Sequence, residues 1–121
     1  MKKQIVLGLA ALLLNCDTQS LKQPTTPEAK LAQCLAQEGA TMYGAYWCKW
    51  CTKQKGEFGP GAWEYFKSNY VECSEKSSEQ ERQRCKSAAV SMFPYWTFKD
   101  GKTVAGYIPL KSLAEISGCD Q

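Results

Sequence analysis

Two cysteines three residues apart, Cys48 and Cys51, constrain this chain more than any other feature. They follow a short apolar run, Met42-Tyr43-Gly44-Ala45, and stand within Tyr46-Trp47-Cys48-Lys49-Trp50-Cys51. The run reads as a buried strand, and Lys49 onwards reads as the start of a helix. A cysteine at a helix N-terminus faces unpaired backbone N–H groups and the positive end of the helix dipole, and both favour thiolate over thiol. The i, i+3 spacing puts Cys51 on the same helix face, within disulfide reach of Cys48. Strand, C-x-x-C and helix together are the setting in which this short motif becomes a redox site.

Two other readings compete. The pair would be half of a zinc site if Cys73 and Cys85 supplied two more thiolates. Their C-x11-C spacing is not a second short knuckle, however, and the chain has no His. A purely structural Cys48–Cys51 bridge would close so short a loop that it removes little chain entropy. The expectation is therefore no metal and no cofactor.

A length of 121 residues suits one small domain. The chain has 15 basic and 12 acidic residues and no basic block, so no nucleic-acid partner is expected. Seven cysteines in so short a chain point to an oxidising compartment, and the odd count leaves at least one outside any intramolecular pair. The first residues agree with export. Met1-Lys2-Lys3 is basic, and Ile5 to Leu14 is entirely apolar or Gly. That run is too short to span a bilayer and suits a secretory signal. It ends Leu13-Leu14-Asn15-Cys16, which resembles a bacterial lipoprotein signal with Cys16 as the lipidated residue, although Asn15 replaces the usual small residue. An ordinary signal peptide cut after Ser20 is the alternative. Residues 1–16 are read as signal peptide, 17–27 as a polar linker, and 28–121 as one exported domain, held at a membrane if lipidated. A monomer is expected.

Along the domain, Thr26-Pro27-Glu28 reads as a helix start, with Thr as cap and Pro at the first position. Leu31, Cys34 and Leu35 form its apolar stripe, and Gly39 ends it. Cys34, on that stripe, reads by default as a buried free thiol. Cys119 is left open between a free thiol, a cross-link to another chain and a bond to Cys34. The helix after Cys51 must kink or break at Pro60 and resumes over Ala62 to Phe66, with Trp63 and Phe66 in the core. Tyr70 to Cys73 reads as a strand parallel to the first through a right-handed crossover. Glu79 to Ala89 is a charged helix. Tyr95 to Phe98 and Thr103 to Tyr107 form a hairpin about Asp100-Gly101. Pro109 to Ile116 is a last helix, capped by Gly118. The class is α/β (α+β), a central mixed sheet flanked by helices.

This order, with C-x-x-C opening the second helix and Pro94 just before the hairpin, resembles the thioredoxin fold. The resemblance implies a cis Phe93–Pro94 bond beside the redox pair, with the Phe93 main chain left to pair with an extended substrate. Met42-Tyr43-Gly44-Ala45-Tyr46-Trp47-Cys48, Gln54-Lys55, Val71-Glu72-Cys73, Arg84-Cys85-Lys86 and Phe93-Pro94-Tyr95-Trp96 narrow it. They resemble the thioredoxin-like domain fused to bacterial and plant vitamin K epoxide reductase homologues, over about Lys30 to Ser117. In that family a quinone-linked membrane enzyme oxidises the C-x-x-C pair, which passes the disulfide to secreted proteins.

The resemblance implies an exported thiol–disulfide oxidoreductase in a periplasm or thylakoid-lumen type of compartment. Its substrates would be protein thiols and disulfides, and its membrane partner a separate protein, since the four-helix membrane part is not seen in this sequence. Cys48 would be the exposed attacking thiolate and Cys51 the resolving thiol. Pro94 and Phe93 would position substrate, and Trp47 and Trp50 would rim the site, although Trp50 reads equally as a surface aromatic without a role. Tyr46 reads as packing. Cys73 and Cys85 would form a structural disulfide, with an electron relay as the functional alternative. The sequence departs from relatives at Lys49-Trp50, where Pro-His is common, and at Met42, where many reducing thioredoxins bury an acid. Two further readings stay open: a reductase fed by a membrane electron donor, and a non-catalytic binding lipoprotein.

Overall fold

The computed structural model describes residues 21–120. The signal peptide, Cys16 and the first part of the linker lie outside the described residues. The elements follow in the expected order: α1 (Pro27–Gln37), β1 (Thr41–Gly44), α2 (Lys49–Trp63), β2 (Tyr70–Glu72), α3 (Glu79–Ser87), β3 (Tyr95–Thr97), β4 (Thr103–Ala105) and α4 (Leu110–Ser117). A short 3-10 turn, Lys67–Asn69, leads into β2.

Local chemistry explains the helix starts. Thr26 caps α1 by accepting the Ala29 N–H on its hydroxyl at 3.0 Å, and Pro27 fills a position that needs no donor. Ser78 and Glu81 form a reciprocal capping box at α3. Helix α2 is two segments: Gly59, at φ 83°, breaks the helical path just before Pro60, where a residue with a side chain would be held out of the helical region.

The sheet order is β2-β1-β3-β4, with β1 and β2 parallel and the other pairs antiparallel. Strand alternation sends Met42 and Trp96 to one face and Tyr43 and Tyr95 to the other. The main core lies on the Met42 face. Leu35 from α1, Phe66 from beyond α2, Trp96 from β3 and Leu113 from α4 are fully buried there, and the Phe66 and Trp96 ring centroids are 5.5 Å apart. Trp63, expected in the core with Phe66, is only half-buried and packs at its margin.

Cys34 is not a free thiol. It is bonded to Cys119, with the Cα atoms 5.9 Å apart. Helix α4 packs against α1, and left-handed Gly118 turns the chain back so that the Cys119 N–H donates to the Ala114 carbonyl at 2.8 Å. That turn brings residue 119 to the α1 stripe.

Candidate active site

Cys48 is the N-cap of α2. Its backbone is extended, and its Sγ accepts the Cys51 N–H at 3.1 Å. The sulfur thus occupies the place that a capping oxygen would take, at the positive end of the helix. Cys48 was expected to be exposed, but it is only 8% accessible, against 1% for Cys51. The reason is the tight turn before it, where the Cys48 N–H donates to the Ala45 carbonyl at 3.0 Å and draws the residue inward. Burial, joined by the hydrogen bond with Cys48, pushes the Cys51 thiol up to about 12, against a lowering by the Ala45 main chain and the Lys55 charge. Cys51 is therefore a protonated thiol near neutrality, and the sulfur nearer the surface is the one placed to meet a partner.

Around the pair the aromatics stand outward. Trp47 is 58% and Trp50 is 51% exposed. The Trp47 ring meets Phe93 edge-on at 5.9 Å, and Trp50 meets Tyr107 at 5.8 Å. The Phe93–Pro94 bond is cis, and Pro94 is fully buried, its carbonyl accepting the Gly106 N–H at 2.6 Å. Among the described residues, no hydrogen bond engages the main chain of Phe93. Tyr46, expected to pack, is instead half-exposed, and its hydroxyl donates to Glu75 at 2.6 Å.

Cys73 and Cys85 are bonded to each other, with Cα atoms 5.9 Å apart, and they tie the end of β2 to α3. A four-thiolate zinc site would need both as thiolates. Among the described residues, no cluster of three or more His, Cys, Asp and Glu side chains is arranged to hold a metal ion.

No family model matches the chain. The chain is 42% identical over 91 residues to the thiol-disulfide oxidoreductase LTO1 of Arabidopsis thaliana. The match takes in 73% of this chain and 23% of that protein, so the chain spans about a quarter of the length of its relative. The fold is thioredoxin-like. A continuous stretch of that share must run through Cys48, Cys51, Cys73 and Cys85.

Five residues of this thioredoxin-like domain shape the site without having been assigned a place in it from the sequence. Gly44 is one: a Cβ there would stand 2.9 Å from Cys51 Sγ and 3.1 Å from the Tyr70 hydroxyl, so only glycine lets the strand run beneath both. Tyr70 donates its hydroxyl to Glu72 Oε1 at 2.8 Å, and Glu72 Oε2 accepts the Tyr46 N–H at 2.9 Å. Burial raises the Tyr70 hydroxyl, and the Glu72 carboxylate and both sulfurs raise it further. Burial also works to raise Glu72, but hydrogen bonds from Ser74, Tyr70 and the Tyr46 main chain outweigh it and hold the carboxyl below its ordinary value. The Lys55 ammonium lies 4.0 Å from the Tyr70 ring centroid. Gln54, fully buried, donates to the Ile108 carbonyl at 2.7 Å and accepts from the Ile108 N–H at 2.8 Å and the Trp96 ring N–H at 3.2 Å. It fixes α2 to β3 and to the segment before α4. Its one sequence signal is its place three residues after Cys51, on the inward face of the helix.

Proposed function

We propose that this chain is an exported thiol–disulfide oxidoreductase that passes disulfides to secreted proteins. The observation that carries the reading is the state of the six described cysteines. Four are bonded across separate elements, while Cys48 and Cys51 are an unbonded dithiol at the start of α2, one sulfur near the surface and one beneath it. The likeness to a plant thiol-disulfide oxidoreductase supports the same chemistry. In the donor direction, a substrate thiolate bonds to Cys48 Sγ of the oxidised pair, and the Cys48–Cys51 bond breaks. A second substrate thiolate then attacks the substrate sulfur of the mixed disulfide and releases the reduced pair. The open main chain of Phe93 and the rims of Trp47 and Trp50 suit an extended peptide crossing the sulfurs, with Pro94 fixing the floor.

The pair is then reoxidised by a membrane enzyme of the quinone-linked, vitamin K epoxide reductase kind. Export rests on the N-terminal signal, and anchoring rests on lipidation of Cys16. Labelled-palmitate incorporation by wild type but not by Cys16→Ala would support the anchor, and equal labelling would remove it.

The deciding experiment is the reduction potential of Cys48–Cys51 in defined glutathione buffers. A value of about −120 to −180 mV makes the protein a disulfide donor, and one of about −270 mV makes it a reductant. A pair that never equilibrates would leave a binding protein without exchange chemistry.

A further inference from the structure

Opening the Cys48–Cys51 disulfide creates a charge problem that the fold must solve. As a thiolate attacks Cys48, the electron pair of the broken bond leaves on Cys51 Sγ. That sulfur is 1% accessible, so water cannot stabilise the charge. The Ala45 main chain and the Lys55 ammonium offer partial help. A polar side chain that reaches the same space is Tyr70. Its hydroxyl and Cys51 Sγ both crowd the space over Gly44, at 3.1 and 2.9 Å from the point where a Cβ would stand. In the dithiol form that hydroxyl donates to Glu72 at 2.8 Å. Glu72 does not depend on this one bond, since it also accepts from the Tyr46 N–H. Lys55 adds positive charge over the Tyr70 ring.

We propose that the Tyr70 hydroxyl turns from Glu72 to Cys51 Sγ as that sulfur leaves, donating a hydrogen bond to the buried thiolate and speeding the opening of the disulfide. No proton changes owner in this step. The attacking sulfur gains a bond to Cys48, and Cys51 gains the electron pair. Cys51 is reprotonated as the second substrate thiol gives up its proton to become the next attacking thiolate. Tyr70 acts on the half of the reaction in which Cys51 is the leaving group and has no part where another sulfur leaves. Gly44 is required because any side chain there would separate the donor from the sulfur. The inference rests on the exchange function proposed above.

The test compares wild type with Tyr70→Phe, which keeps the ring that packs on Trp63, at 6.0 Å between centroids, and lies under Lys55. Each protein is oxidised, mixed with excess dithiothreitol, and followed by its tryptophan fluorescence, with quenched samples alkylated to count the opened pair. Tyr70→Phe is expected to open about tenfold more slowly, the cost of losing one hydrogen bond to a charged group. The same substitution is then made in Cys51→Ala carrying glutathione on Cys48, where the leaving sulfur is that of Cys48 or of glutathione and never Cys51. There, Tyr and Phe at position 70 are expected to give equal release rates. Equal slowing in both backgrounds would overturn the inference and make Tyr70 a support of the turn, and no slowing in either would overturn it too. A wild type that dithiothreitol cannot open, or that transfers nothing to thiol substrates, would instead remove the exchange reading and this inference with it.

Discussion

The redox turn and the two bridged cysteine pairs use the same bond for opposite ends. Cys34–Cys119 joins residues 85 apart in the chain, and Cys73–Cys85 joins residues 12 apart. Each ties one element to another. Cys48 and Cys51 belong to a single turn, the cap and the third residue of α2. Bonding distant residues removes much of the freedom of the unfolded chain, while bonding neighbours in a turn removes little. The long-range pairs therefore hold the fold, whereas the short pair can open and close with the fold left in place. The neighbourhoods differ to match: Cys48 accepts the Cys51 N–H between two exposed tryptophans in the chain, and Cys119 is buried and bonded to α1.

The largest effect is expected where the redox turn loses its outer sulfur. Cys48→Ser should reduce thiol–disulfide exchange, assayed by insulin reduction or by oxidation of a dithiol peptide, to the uncatalysed rate while leaving the melting temperature nearly unchanged. Retained exchange would break the assignment. The bridged pairs should behave in the reverse way. In the chain-entropy account, Cys34→Ala with Cys119→Ala should cost about 4.5 kcal/mol of stability in urea unfolding, and Cys73→Ala with Cys85→Ala about 3 kcal/mol. Both double variants should still equilibrate at Cys48–Cys51. If Cys73–Cys85 proved the more costly to remove, native contacts at β2 and α3 rather than loop length would govern these bridges.

These contrasts were unevenly legible in the sequence. The redox turn was written locally: an apolar run, two cysteines at helical spacing, and a helix broken where Pro60 required it. Cap residues such as Thr26 and Ser78 act within a few positions, so the element order could be read from short windows. Cys34 was misread because its stripe position is equally good for a free thiol, and its partner lies 85 residues away behind the Gly118 turn. The accessibility of Cys48 was overestimated because an N-cap position says nothing about the tight turn from Ala45 that pulls it in. Tyr70, Glu72 and Gly44 escaped because their roles arise across the β1–β2 ladder, where Gly44 stands opposite Glu72. In the chain, Gly44 is one small residue in an apolar run, and Glu72 is one polar residue between Val71 and Cys73.

The smallest expected effect tests how the two neighbourhoods are joined at that ladder. Glu72 holds the main chain of the redox turn through the Tyr46 N–H, while its own N–H donates to Glu81 of α3, at 3.0 Å, beside the Cys73–Cys85 bridge. Its carboxyl is held below the ordinary value in the folded protein, the hydrogen bonds outweighing burial. A depressed carboxyl contributes stability that is fully present above its unfolded value, about 4.3, and is lost as pH falls through the folded value. Thermal unfolding between about pH 6 and pH 3 should therefore show an acid limb that Glu72→Gln flattens, because the amide does not titrate. Glu81, whose carboxyl is likewise held low by hydrogen bonds from the Ser78 and Glu72 main chains, should supply part of what remains of that limb, with Glu75, Glu79 and Asp100, which are also held low, supplying the rest. The flattening should be equal with Cys48–Cys51 reduced or oxidised if Glu72 serves the turn as a brace. A difference between the two states would mean that the carboxylate also senses the redox state of the pair, and would join the two regions into one unit.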